Sequence, residues 1–294
     1  MMEANRFFAL ILLVLITISS GAQVETDTVP VNKKRLRTLV IGSSAAYGVT
    51  LIGLNQLWYK DAPRQSFQFF NDNAEWKQVD KIGHFYSSFY FSYGFSRALR
   101  WAHVQPRKAD IASALTGFLI MVPIEIMDGY SDAYGASGGD LVANAAGSLF
   151  FLGQSLAWKE IRLYPKFSVH STRYATQRPD VLGDGTISQI FKDYNGQTYW
   201  LSVDVDKFIT FPKWLNIGIG YGAEGMVSAR DQQNMELGLD PCRQYYLSID
   251  FDLTAIRTRS KAIKTLIFFA NMIKIPAPAI EFSRKGTRFH ALYF

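Results

Sequence analysis

The chain has 294 residues, 48% hydrophobic, 15% aromatic and only 19% charged, with a formal net charge of +6. Soluble domains carry about 25% charged residues, so this composition implies a small water-facing surface or one that meets lipid. No Lys/Arg stripe with a recognition motif accompanies the basic balance, which excludes nucleic acid as a partner. The single cysteine, Cys242, excludes an internal disulfide and a Cys/His metal cluster around it.

Arg6 precedes an apolar run from Phe7 to Ile18, and Ser20-Gly21-Ala22 follows. The run is short for a spanning helix, and the pattern predicts a cleaved signal peptide over residues 1–22. No cysteine borders the cleavage point, so a lipoprotein anchor is not expected. Residues 23–38 form a polar lead that ends in the cluster Lys33-Lys34-Arg35-Arg37, suited to lipid headgroups or to a solvated surface.

Leu39 to Trp58 is almost uncharged and has the length of a bilayer-crossing helix. Its Gly42, Ser43, Ser44, Ala45, Ala46 and Gly48 would let another helix approach closely. Phe67, Phe69, Phe70 and Trp76 follow, aromatic residues of the kind found along interfaces. A second helix is predicted from Asp80 to about Ala102, and a third from Lys108 or Asp110 to about Met127. A fourth runs from Asp140 to about Trp158, after the Gly/Ser-rich turn 134–139. Asp140 would then meet the positive end of its helix. Residues 39–163 therefore read as a membrane-associated helical domain.

Residues 164–196 read as an extended connection, and 197–294 as a β-rich region with one helix. Alternation of period two marks strands in 197–206, 214–222 and 245–253, with a last strand over 287–294. Asp204 and Asp206 would share a strand face turned to solvent or a lumen. Ala255 to Ile273 predicts a helix, basic at its start, that lies flat on a membrane or covers the sheet. Alternation and an aromatic terminus fit outer-membrane strands, yet four or five strands are too few for a barrel, which starts at eight. A small packed antiparallel sheet beside the helices is expected, giving an α+β fold.

Ionisable residues recur at helical spacing inside the apolar sequence: Asp80, Lys81 and His84, with Ser87 beyond; Glu125, Asp128 and Asp132; Asp140, Asn144 and Gly147. Desolvating an isolated charge is costly, so each must meet a partner, a wet cavity or a ligand. Residues three and four apart share a helix face, and three such stripes could converge in one pocket. His84 beside Asp80 or Asp140 suits a general base, and the four acidic residues suit a divalent cation. Lys81 and His84, with the Asp140 helix end, suit a phosphate or carboxylate headgroup. The remaining reading is a buried network that fixes helix register. The residues are retained as polar-pocket or headgroup-binding candidates, with Gly147 a packing position. None is assigned a catalytic or metal-ligand role, and no cofactor is defined. Walker, Gly-x-Ser-x-Gly and His-Glu-x-x-His motifs are absent.

Asp80-Lys81-Ile82-Gly83-His84-Phe85, followed by Glu125, Asp128, Asp132, Ser137, Asp140-Leu141-Val142-Ala143-Asn144 and Gly147, resembles the uncharacterised YfiM-type bacterial envelope proteins and lipoproteins. More distantly it is similar to VanZ-like membrane proteins, which share an Asp-Lys-x-x-His entry and a later Asp-x-x-x-Asn-x-x-Gly. The longer form, with its extra N-terminal apolar helix and residues 192–200, resembles Bacteroidota members. The resemblance implies an outer-membrane or periplasmic setting and no defined activity; the VanZ-like relatives imply handling of envelope lipids. The expected function is a non-enzymatic accessory or structural subunit of an outer-membrane assembly. Its partners would be the lipid bilayer and other outer-membrane proteins. The alternative is binding or processing of an envelope lipid or polyprenyl phosphate, with a bound phospholipid at the polar pocket.

Overall fold

The computed structural model describes residues 29–59 and 63–294; the signal segment read over 1–22 lies outside the described residues. Contacts divide the chain into a helical unit, Met1–Asn71 with Ser87–Lys159, and a sheet unit, Asp72–Tyr86 with Glu160–Phe294.

Helix α1 spans Lys33–Leu54 and runs on through a π turn to Tyr59. It begins earlier than Leu39 because Asn32 caps it, accepting from the Arg35 amide at 3.0 Å. Cations in a first turn oppose the helix dipole. Arg35 offsets this by donating to the Trp101 carbonyl at 2.9 Å and lying over the Trp101 ring at 5.0 Å. Helix α2 spans Val79–Trp101, and from Ser87 onward it belongs to the helical unit. The third predicted helix is broken into α3, Pro106–Leu119, and α4, Val122–Gly129. Pro123 explains the break, since it lacks an N–H and is tolerated only at a helix start. Short strands β1, Phe69–Phe70, and β2, Ala136–Ser137, pair in parallel ahead of α5, Gly138–Trp158.

The interior of the helical unit sets small polar side chains beside buried apolar ones such as Phe89, Leu99 and Phe151. Ser88 Oγ donates to the Asn144 carbonyl at 2.6 Å, and one turn on Ser92 meets Ser148 at 3.2 Å, so α2 and α5 run parallel. A Cβ on Gly117 of α3 would lie 2.1 Å from Ser92 Oγ, so only glycine permits this approach. Asp110, 3% exposed, accepts from Ser96 at 2.5 Å, Ser155 at 2.6 Å and Arg100 at 2.6 Å. The outer faces are apolar instead: Val49, Ile111, Leu115, Val142, Leu149 and Leu156 are all exposed. Lys33–Tyr59, Pro106–Gly129 and Gly138–Trp158 are long and apolar enough to cross a membrane.

The sheet unit holds six antiparallel strands in chain order: β3 Leu163–Val169, β4 Gln197–Val203, β5 Leu215–Glu224, β6 Cys242–Phe251, β7 Ala277–Ser283 and β8 Gly286–Tyr293. The α+β expectation thus holds, with two strands more than the alternation marked. Residues 164–196, read as a connection, carry β3 and two short helices, α6 Pro179–Leu182 and α7 Thr186–Lys192. A third, α8, spans Asp231–Glu236, and α9, Lys261–Ala270, precedes β7.

The sheet curls so that its polar face is inside. Lys166 of β3 reaches across to Asp250 of β6 at 2.7 Å, both side chains fully buried. Ser202 donates to the same carboxylate at 2.6 Å and receives from Asn216 at 3.0 Å. Trp200, Tyr246, Ala279 and Tyr293 form the apolar centre. Gly220 makes room for it, since a Cβ there would lie 2.8 Å from the Trp200 ring. The outer edge of β3 is met by the chain after α9: Phe167 N donates to Met272 O at 3.0 Å, and Lys274 N to Phe167 O at 2.9 Å.

Candidate functional site

The Asp80/Lys81/His84 stripe occupies the opening turns of α2, in the sheet unit. Three left-handed residues, Trp76, Lys77 and Gln78, with φ of 46°, 52° and 63°, deliver the chain to it. Such a backbone costs about 1–2 kcal/mol per L-residue, so the surroundings must impose it. They do: Trp76 N donates to the Ala229 carbonyl at 2.8 Å, and buried Lys77 pairs with Asp231. Tyr221 donates to the Lys77 carbonyl, and Arg243 donates to Gln78 Oε1 at 2.6 Å. Gly83, between Lys81 and His84, faces Tyr199, whose hydroxyl would lie 2.8 Å from an added Cβ. Lys81 is held between Asp72 at 2.6 Å and Asp80 at 3.1 Å. Asp72 was not singled out from sequence because it precedes the helix and follows no period.

The second and third stripes lie in the helical unit. Glu125, 3% exposed, accepts from the Ser137 amide at 3.0 Å through Oε2. Ser137 in turn caps α5, its hydroxyl accepting from the Asp140 amide at 3.1 Å. Glu125 and Asp140 are thereby brought to one place by the β2–α5 junction. Asn144, a turn further along, takes the Ser88 contact through its carbonyl, with buried Gly147 beyond it; half-buried Ser87 lies next to Ser88. Asp128 accepts from Tyr59 Oη at 2.7 Å.

Asp132 does not share the Glu125/Asp128 helix face. Helix α4 ends at Gly129, where the Phe67 ring would lie 2.3 Å from a Cβ, and Asp132 is exposed in the following turn. Asp204 and Asp206 also depart from expectation. Strand β4 stops at Val203, and Asp204 is buried at the head of a 3-10 turn, Val205–Lys207. Burial, with Asp206 and Asp252 nearby, pushes the Asp204 carboxyl up to about 8.

Residues 68–152 match the family model DUF2279, described as a predicted periplasmic lipoprotein. The match covers under a third of the chain and spans all three stripes. It agrees with the resemblance to an uncharacterised envelope lipoprotein family. No curated protein and no solved structure matches the chain.

Lys81 pairs with two carboxylates, Asp72 and Asp80. Glu125 and Asp140 supply hard oxygen atoms of the kind that divalent cations take. What these contacts do directly is close a helix start: one carboxylate and one hydroxyl satisfy amides that the first turn of α5 leaves open.

Proposed function

We propose that the chain is a non-enzymatic structural subunit of the bacterial envelope, embedded in the outer membrane as an accessory to a larger protein assembly. The observation that carries this reading is a hydrogen-bonded polar seam inside the helical unit together with an apolar exterior. Serines, Asn144 and the Asp110 network lie inside, while Ile111, Val142, Leu149 and Leu156 face outward. Between helices in lipid, small residues and hydrogen bonds replace hydrophobic burial as the source of association. The family description is consistent with an envelope setting. In this reading Asp80, Lys81, His84, Glu125, Asp128, Asp140 and Asn144 tie elements together. Lys81 pairs with the Asp72 and Asp80 carboxylates, an arrangement that fits this tying role.

The test is gentle detergent extraction of the tagged chain from its native membranes, with identification of every retained component. Discrete outer-membrane proteins in fixed ratio are expected. A stoichiometric isoprenoid or phospholipid without protein partners would favour the headgroup reading. The His84→Ala variant separates the two again: unchanged partner recovery with loss of a bound lipid would make the pocket a ligand site.

A further inference from the structure

The outward face of the sheet is the reverse of a water-facing one. In register lie Leu201, Ile219, Leu247, Ile280 and Phe289, with Pro165 of β3 at the end of the row and buried. Ile219, Leu247 and Phe289 are 55%, 45% and 72% exposed. The neighbouring row is aromatic: Tyr199 and Tyr221 pack against the 76–86 segment, while Tyr245 and Phe282 are exposed; at the other end Trp214 stacks on Phe251, their planes 12° apart. Inside, by contrast, sits the fully buried Lys166–Asp250 pair. Apolar outside, polar inside and aromatic rings at the ends is how strands face lipid.

Helix α9 carries a second exposed apolar face. Ile263, Leu266, Ile267 and Ala270 share one helix face, and Ile263 and Leu266 are 45% and 67% exposed. Arg257, Arg259, Lys261 and Lys264 gather at its start, in a stretch from Leu253 to Ile280 that contains no acidic residue. At the opposite end of the sheet Lys77, Arg284 and Lys285 pair with Asp231, Asp240 and Glu224, and Arg243 is engaged by Tyr221 and Gln78. Attraction to negative headgroups therefore concentrates at α9.

Spanning and lying flat are separable on physical grounds. From Tyr245 to Phe251 the apolar run of β6 is about 20 Å long at about 3.3 Å per residue, short of the apolar band of about 25 Å on membrane barrels. Strand β8 also has no strand on its outer side among the described residues, and an open edge is not tolerated in hydrocarbon. At headgroup depth water satisfies such an edge.

We propose that the outward face of the sheet and the apolar face of α9 together lie in one leaflet of an anionic lipid bilayer, with the basic cluster at 257–264 on the headgroups. This rests on the membrane reading above but concerns a different surface. The test uses the full chain, with Cys242→Ser and single cysteines at Leu247, Ile280, Leu149 or Gln233. Each is nitroxide-labelled and reconstituted in phosphatidylethanolamine/phosphatidylglycerol vesicles. Labels at Leu247 and Ile280 should collide readily with oxygen, and at least fivefold less with a water-soluble nickel chelate than the label at Gln233. Replacing Arg257, Arg259, Lys261 and Lys264 by Gln, or using phosphatidylcholine alone, should remove most of that protection. Nickel access at Leu247 and Ile280 equal to that at Gln233, with Leu149 still protected, would overturn this inference and leave the helical reading standing. Equal access at Leu149 as well would overturn both. Protection indifferent to lipid charge and to the Gln replacements would overturn the electrostatic part.

Discussion

Two buried side chains give the sharpest residue-level tests. Asp204 titrates at about 8 when folded against 3.8 for an ordinary Asp. Between those values the folded chain holds a proton that the unfolded chain has released, so stability falls as pH rises through that window and levels off above it. Melting followed by circular dichroism in mild detergent should give a lower midpoint at pH 8 than at pH 5, and Asp204→Asn should flatten the slope. An unchanged slope in the variant would refute the assignment. For the Lys166–Asp250 pair, removing one charge strands the other in a fully buried site. Lys166→Met should cost about 3–5 kcal/mol in urea unfolding, while adding Asp250→Leu should restore a large part of it.

Helices and strands differ in how much of them the sequence disclosed. The long apolar stretches announced α1, α2 and α5, and alternation announced β4, β5, β6 and β8. Strands β3 and β7 were illegible for one reason: their inward positions hold Lys166 and Glu281, and each contains a proline, Pro165 or Pro278. Charge and proline signal a loop, but the interior of this sheet holds Lys166, Asp250 and Glu281 beside its apolar centre. The stripes were legible as residues and only partly as contacts. Helical spacing linked Asp140 with Asn144, whereas the Glu125–Ser137–Asp140 relay depends on a strand–helix junction that no periodicity reveals. Asp132 was misread because Gly129 ends α4 where Phe67 needs room.

Glycine replacements test the helix seam at the same scale. Gly117→Ala places a methyl against Ser92 Oγ and against the Ser88 carbonyl, 2.8 Å away, which the backbone cannot yield cheaply. A loss of about 1–3 kcal/mol is expected, as for overpacking generally. Gly153→Ala in α5 meets nothing within 4 Å and should gain about 0.5–1 kcal/mol from helix propensity. Thermal melting of the two variants side by side should move in opposite directions; a harmless Gly117→Ala would mean that α2 and α3 do not pack at this point.

Across the molecule, both units bury polar networks beside their apolar cores and turn apolar residues outward, each by its own means. The helical unit uses serines and a single Asp110 network, and the sheet unit a curl around Trp200, Lys166 and Asp250. An exterior of this kind in water would expose large apolar patches, which mark interaction surfaces or aggregation. A bilayer removes that liability. The most direct check is alkaline carbonate extraction of membranes from cells expressing the full chain, followed by density separation of inner and outer membranes. The chain is predicted to stay in the pellet and to travel with the outer membrane; release into the supernatant as a soluble, lipid-free monomer would contradict the membrane-embedded reading.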